Sequence, residues 1–313
     1  MFLPKVLRAK PWRRRRQRDR PRVELARSMK PRPVQPLNGY RTMTELAYHE
    51  TGSRGQPTIV FLHGVGNTAA MWDKLAAALA DYHCLAPDLP GHGGSRAVRW
   101  QSRSDTARRI AALIEVRATG GRAHVVGLSL GGSVALELLT TRPDLLDRVI
   151  VDGCGALPSA VTGPMKLGVA AISPFLRFGV VARTIGRAFG IPSGPGLDEF
   201  VAQIQAADAR SFRRAFAHAN ETRITNALLA APCPTLLVAG ERELRHVRQS
   251  NRVLAERMPA AEARMVPGAG HGWGPVQLPN VHRRMVEAWL KGTPLPSELH
   301  AETIGLPARE AAG

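Results

Sequence analysis

The residues whose types and spacing most directly suggest chemistry lie in Ala123-His-Val-Val-Gly-Leu-Ser-Leu-Gly-Gly132. Residues 123–126 form a short, largely apolar run that reads as a buried strand, and helix formers follow from Val134 to Leu139. Ser129 therefore sits as Gly-x-Ser-x-Gly in a turn from strand to helix. A serine in so tight a turn occupies a strained backbone conformation, and its neighbours Gly127 and Gly131 must lack side chains. The helix that begins after it aims N–H groups and a positive dipole end at developing negative charge. This suits a nucleophile that forms a covalent acyl intermediate. Serine is weak in that role at neutral pH and needs a base, with a carboxylate to orient the base.

Candidate partners lie on other segments. The apolar run Thr58 to Leu62 ends in His63-Gly64-Val65-Gly66, and Thr235 to Gly240 is followed by Glu241-Arg242-Glu243. Residues 263–266 precede Pro267-Gly-Ala-Gly-His271-Gly272, and Ala86-Pro-Asp-Leu-Pro-Gly-His-Gly-Gly-Ser95 forms a further glycine-rich loop. Nucleophile, acid and histidine run Ser, Glu, His along the chain. On these four motifs, across roughly residues 43–291, the chain resembles the α/β-hydrolase superfamily, in particular its capped, esterase-like members with a serine nucleophile.

The resemblance implies roles for individual residues. Ser129 would be the nucleophile and His271 its base. Glu243 stands where most relatives carry Asp, and its extra methylene requires a retracted backbone. Asp152 is the alternative acid, expected to bond backbone N–H groups, and Glu241 is a surface or supporting residue. The N–H groups of Val65 and Leu130 are the expected oxyanion hole. His63, Gly64, Gly127 and Gly131 support the loops, with His63 shaping its loop rather than moving a proton.

A serine nucleophile excludes the alkyl-ester chemistry that relatives perform with aspartate. It leaves reactions through an acyl-enzyme, of which hydrolysis of a small, lipophilic carboxylic ester leads. Carbon–carbon bond hydrolysis and acyl transfer are the enzymatic alternatives, and a ligand receptor or partner-binding regulator is the alternative of another class. The expected partner is a small-molecule substrate, and the oligomeric state stays open. His63, His83, His92 and His124 lie on separate segments, so neither a metal nor another cofactor is expected.

Strands alternating with helices point to an α/β fold, a mostly parallel, doubly wound sheet that gathers active groups at the carboxyl ends of its strands. The rhythm breaks between Gly153 and Ala231, where the resemblance places a helical cap after the sixth strand. Helices are predicted over residues 165–172, 175–189 and 197–219. Apolar residues there, among them Leu167, Phe175, Phe178 and Val180, could line an acyl pocket. Seven cap arginines, from Arg177 to Arg223, would be ligands only for a carboxylate-bearing substrate. The domain reading is a hydrolase core over 43–153 and 231–295, a cap over 154–230, a basic tail over 1–42 and a flexible C-terminal tail over 296–313.

Charge is concentrated in the tail. The net charge is +18, and residues 1–42 contribute 14 Lys or Arg against Asp19 and Glu24. Dense arginine and proline with few large apolar residues reads as disorder. Electrostatics would allow contact of this tail with nucleic acid or an anionic membrane, but no aromatic interleaving or binding motif backs it, so none is expected. Met43 is the natural beginning implied by the resemblance, so the tail is either disordered or the product of an upstream start assignment. Arg13 to Arg16 are not followed by an apolar stretch, which excludes a twin-arginine export signal. Three cysteines without disulfide or metal spacing read as small buried hydrophobes. No run reaches the length of a membrane span, and a cytoplasmic location is expected.

Overall fold

The computed structural model describes residues 46–188 and 190–302. The sheet begins with β1 (Tyr48–Thr51) and β2 (Thr58–Leu62). A 3-10 turn at Ala69–Trp72 leads into the short α1 (Asp73–Ala78), and β3 (His83–Pro87) follows. After α2 (Arg103–Arg117) come β4 (Ala123–Leu128), α3 (Leu130–Thr141) and β5 (Leu146–Asp152). The insertion holds α4 (Thr162–Ile172), α5 (Gly179–Ala188), α6 (Pro195–Ala206), α7 (Ala209–Ala219) and the single turn α8 (Asn226–Leu229). The chain returns through β6 (Thr235–Gly240), α9 (Arg245–Arg257), β7 (Ala261–Val266), α10 (Pro279–Lys291) and β8 (His300–Ala301).

The eight strands lie in the order β1-β3-β2-β4-β5-β6-β7-β8, parallel except for β1 against β3 and β8 against β7. Side chains alternate between two cores, as period-two geometry demands of a sheet covered on both faces. Val60, Leu62, Val149, Val151 and Leu237 face the core that holds α2, α3, α9 and the inner side of the insertion. Ile59, Phe61, Ile150, Leu236 and Val238 face the core under α1 and α10. The central strands are buried on both sides, which explains their unbroken apolar runs.

Several boundaries differ from the sequence reading. The insertion follows β5, the strand that the resemblance numbers as the sixth. The predicted helix 197–219 is two helices, because Asp208 caps α7 by accepting from Ser211 N at 2.8 Å, while Asp208 N donates to Gly91 O at 3.0 Å. The predicted helix 175–189 starts at Gly179, after a 3-10 turn around Pro174. The expected flexible tail from 296 is packed as far as 302, with Leu299 buried and β8 paired to β7. The basic tail 1–42 and residues 303–313 lie outside the described residues.

The loop after β3 is organised by a buried carboxylate. Asp88 Oδ1 accepts from Ala69 N and its Oδ2 from Gly94 N, both at 2.7 Å. Gly93 has φ +46°, and a Cβ there would lie 2.4 Å from the Asp88 carboxylate. Two loops are thereby tied together at the carboxyl edge of the sheet. Asp88→Ala leaves the buried Ala69 N–H unsatisfied and frees the exposed Gly94 N–H, and is expected to destabilise the fold by about 1–3 kcal/mol, read as a lower urea midpoint.

Candidate active site

Ser129 is the only non-glycine residue with positive φ among the described residues, at φ 54° and ψ −106°. Such a backbone costs about 1–3 kcal/mol and persists only when its surroundings over-determine it. They do so here by three hydrogen bonds. Ser129 N donates to Asp152 O at 2.8 Å, Ser133 N to Ser129 O at 3.0 Å, and Gly131 N to His63 O at 3.1 Å. The flanking glycines are required by space. A Cβ on Gly127 would lie 2.4 Å from Gly131 O, and one on Gly131 would lie 2.1 Å from Leu62 O. At Gly64 a Cβ would meet only ordinary contacts, so packing does not demand glycine there.

Gly131 N–H holds the 63–65 loop against the elbow. Among the described residues, the N–H groups of Val65 and Leu130 have no acceptor, leaving two donors beside Ser129. His63 is fully buried; its Nδ1–H donates to Gly64 O at 2.8 Å and its Nε2 accepts from Leu89 N at 2.9 Å. Burial holds it neutral, with its pKa lowered to about 4.

His271 and Glu243 meet at the neighbouring strand ends. Backbone bonds continue past the paired strands, from Glu241 N to Val266 O and from Arg242 N to Ala269 O. A turn closed by Glu243 N to Gly240 O at 3.0 Å then draws Glu243 back, which accommodates its longer side chain. Its Oε2 accepts from His271 Nδ1–H at 2.6 Å, and its Oε1 accepts from Leu244 N at 2.9 Å. Burial opposes charge on both groups. The mutual hydrogen bond and charge outweigh it, so Glu243 lies below the usual carboxylate range and His271 above the usual imidazole value. Glu241 is exposed and accepts from Gly268 N at 2.8 Å, pinning the turn before His271.

Asp152 is fully buried. Its Oδ1 accepts from Trp273 Nε1 at 3.0 Å, and its Oδ2 has no partner among the described residues. The backbone N–H bonds expected of it are replaced by this indole, which anchors the segment carrying His271. Burial raises the Asp152 pKa to about 7.

Sequence reasoning missed two supports of this pair, Trp273 and Gly153. Gly153 has φ +60°, and a Cβ there would lie 3.1 Å from the His271 ring. The signal for Gly153 was its place directly after a strand. Nothing in the sequence singled out Trp273.

Ser129, Glu243 and His271 border one chamber of about 410 Å³. Leu157, Met165, Phe216, Val247 and the buried Cys154 supply apolar wall. A narrower space of about 40 Å³ opens on another side of Ser129 and His271, against Met71, Ile191 and Phe200. The expectation for the cap residues is corrected here. Leu167 on α4, Phe175 and Phe178 in the turn between α4 and α5, and Val180 on α5 border neither space and are exposed. No arginine of the insertion borders either space.

A profile of the alpha/beta hydrolase family matches residues 59–287, well over half of the chain. The chain belongs to the alpha/beta hydrolase family. An alpha/beta hydrolase superfamily protein of Gibberella zeae is 34% identical over 168 residues, covering 50% of this chain and 60% of that protein. An esterase of Mycobacterium tuberculosis is 32% identical over 176 residues, covering 54% of each chain. The alignments thus span little more than half the length of these two relatives. A hydrolase from Pseudomonas aeruginosa superposes with a TM-score of 0.66 at 24% identity, covering 78% of this chain and 94% of that one, a likeness of fold alone.

The Glu243–His271 pair of this alpha/beta hydrolase gives stability a definite pH window. The lowered Glu243 pKa stabilises above its unfolded value of 4.5, a contribution lost as pH falls through the folded pKa. The raised His271 pKa stabilises below 6.5, a contribution lost as pH rises through the folded pKa. The melting-temperature deficit of Glu243→Gln is therefore expected to be largest between pH 4.5 and 6.5 and to narrow on either side. Thermal melts of both proteins across pH check this.

Proposed function

We propose that this hydrolase cleaves small, lipophilic carboxylic esters through an acyl-enzyme on Ser129. The observation that carries the reading is the strained Ser129 elbow on the same chamber wall as a histidine whose Nδ1–H is held by a buried glutamate. His271 Nε2 would take the Ser129 hydroxyl proton as Oγ attacks the ester carbonyl. The oxyanion would be held by the N–H groups of Val65 and Leu130, at the positive end of α3. As the intermediate collapses, the imidazolium returns its proton to the alcohol oxygen. Water, activated by the same imidazole, then releases the acid. Glu243 would keep Nδ1 protonated and stabilise the imidazolium. The related esterase supports the choice of ester over other acyl-enzyme chemistry.

Labelling with a fluorophosphonate and peptide mapping is expected to place the adduct on Ser129 and to find none on Ser129→Ala. Ser129→Ala and His271→Ala should lose activity by several powers of ten and to a similar degree, since such residues act as a unit. Glu243→Gln should lower kcat on the order of 10³-fold and move the acidic limb of the kcat/KM profile, set by His271, to lower pH. Glu241→Gln should cost little, and Asp152→Asn should act mainly on the melting temperature. A crippled Asp152→Asn beside an active Glu243→Gln would move the acid to β5.

The apolar chamber sets a second expectation. Over a short series of p-nitrophenyl esters, kcat/KM should rise by up to about fourfold for each added acyl methylene, the equivalent of roughly 0.8 kcal/mol. A preference for acyl groups bearing a carboxylate would contradict it.

A further inference from the structure

The outward face of the insertion carries large apolar side chains beside uncompensated arginines. Val161, Leu167, Phe175, Phe178 and Val180 are between 45% and 74% exposed. A water-soluble surface rarely presents so many in one region without a use for them. Phe175 and Phe178 stack with ring centroids 6.4 Å apart, and the Arg177 guanidinium lies 4.8 Å from the Phe178 ring centroid. The basic groups adjoin them. Leu167 and Lys166 on α4 share a groove with Arg213 and Arg214 on α7. The same two arginines and Pro174 border a cleft of about 850 Å³ together with Arg96, Arg99 and Arg210. Because α4, the 173–175 turn and α7 pack against one another, these groups belong to one continuous surface.

The charges on this surface are only partly balanced from within: Lys166 pairs with Glu221 at 2.6 Å, and the Asp208 carboxylate feels Arg96 and Arg210. Arg210, Arg213 and Arg214 stand at i, i+3 and i+4 on α7, where like charges repel. Among the described residues no carboxylate lies within ion-pairing distance of Arg96, Arg99, Arg210 or Arg213, and the cleft has Asp208 as its single acidic side chain. An anionic partner would relieve that repulsion. A second copy of this chain meeting the first through the same face would set these arginines against one another. Residues 1–42 carry a net charge of +12, the same sign as this face. A soluble anion would satisfy the arginines but leave both phenylalanines in water.

We propose that this face docks peripherally on an anionic lipid bilayer. The tips of Phe175, Phe178, Leu167 and Val180 enter the headgroup boundary, and the arginines reach the lipid phosphates along their apolar stems. No helix among the described residues is long and apolar enough to cross a membrane. The proposal stands apart from the chemistry at Ser129, because none of its residues borders the chamber.

The test is flotation of the full-length protein with vesicles of phosphatidylcholine, alone or mixed with phosphatidylglycerol. Wild type is expected to float with the mixed vesicles, and more weakly as salt is raised. Phe175→Ser/Phe178→Ser and Arg213→Glu/Arg214→Glu should each weaken binding about tenfold or more while keeping the wild-type melting temperature. Failure of wild type to bind the mixed vesicles would overturn the proposal. Unchanged affinity in both double variants would do so as well, by assigning the binding to the basic segment 1–42.

Discussion

The backbone of Ser129 is the constraint on which the rest of the site depends. Its positive φ leaves room for side chains at neither Gly127 nor Gly131, and the conformation survives only because the 63–65 loop and the end of β5 hold it by hydrogen bonds. Those same contacts set the positions of the Val65 and Leu130 N–H groups. One strained residue thus fixes nucleophile, donors and helix terminus relative to one another, with the strain carried by a sheet buried on both faces.

Two carboxylates close to His271 are sorted by their surroundings. Glu243 receives a hydrogen bond on each oxygen, from the imidazole and from Leu244 N, and burial cannot keep it neutral. Asp152 receives one from an indole, leaves an oxygen unpartnered, and is pushed upward by burial. Residue type alone does not distinguish these two acids. Hydrogen-bond partners do, and they make Glu243 the partner of the histidine and Asp152 the anchor of the segment bearing it.

The insertion divides its side chains between two tasks. Ile204 and Phe212 press on the loop at Gly66, and Phe216 forms chamber wall, so the inner side shapes the space above Ser129. The outer side leaves phenylalanines and arginines to water. A Gly-containing loop at 190–194 leads into α6.

Local sequence determined the elements and the order of the chemical groups. The apolar runs at 58–62 and 235–240 are strands to the residue, because strands buried on both faces leave no polar position to blur their ends. Gly-x-Ser-x-Gly was legible because the elbow's geometry forbids side chains at its neighbours, and the histidine loop because it is built of glycine. The short edge strands β1 and β8 were not, since a strand of two to four residues has too little pattern to read. Nor was the break at Asp208, whose bond to Gly91 O reaches across the fold. Only tertiary structure decided which acid meets His271, that Gly153 and Trp273 support it, and which cap residues face the chamber. These depend on separations and directions between distant segments, and no periodicity within one segment encodes them.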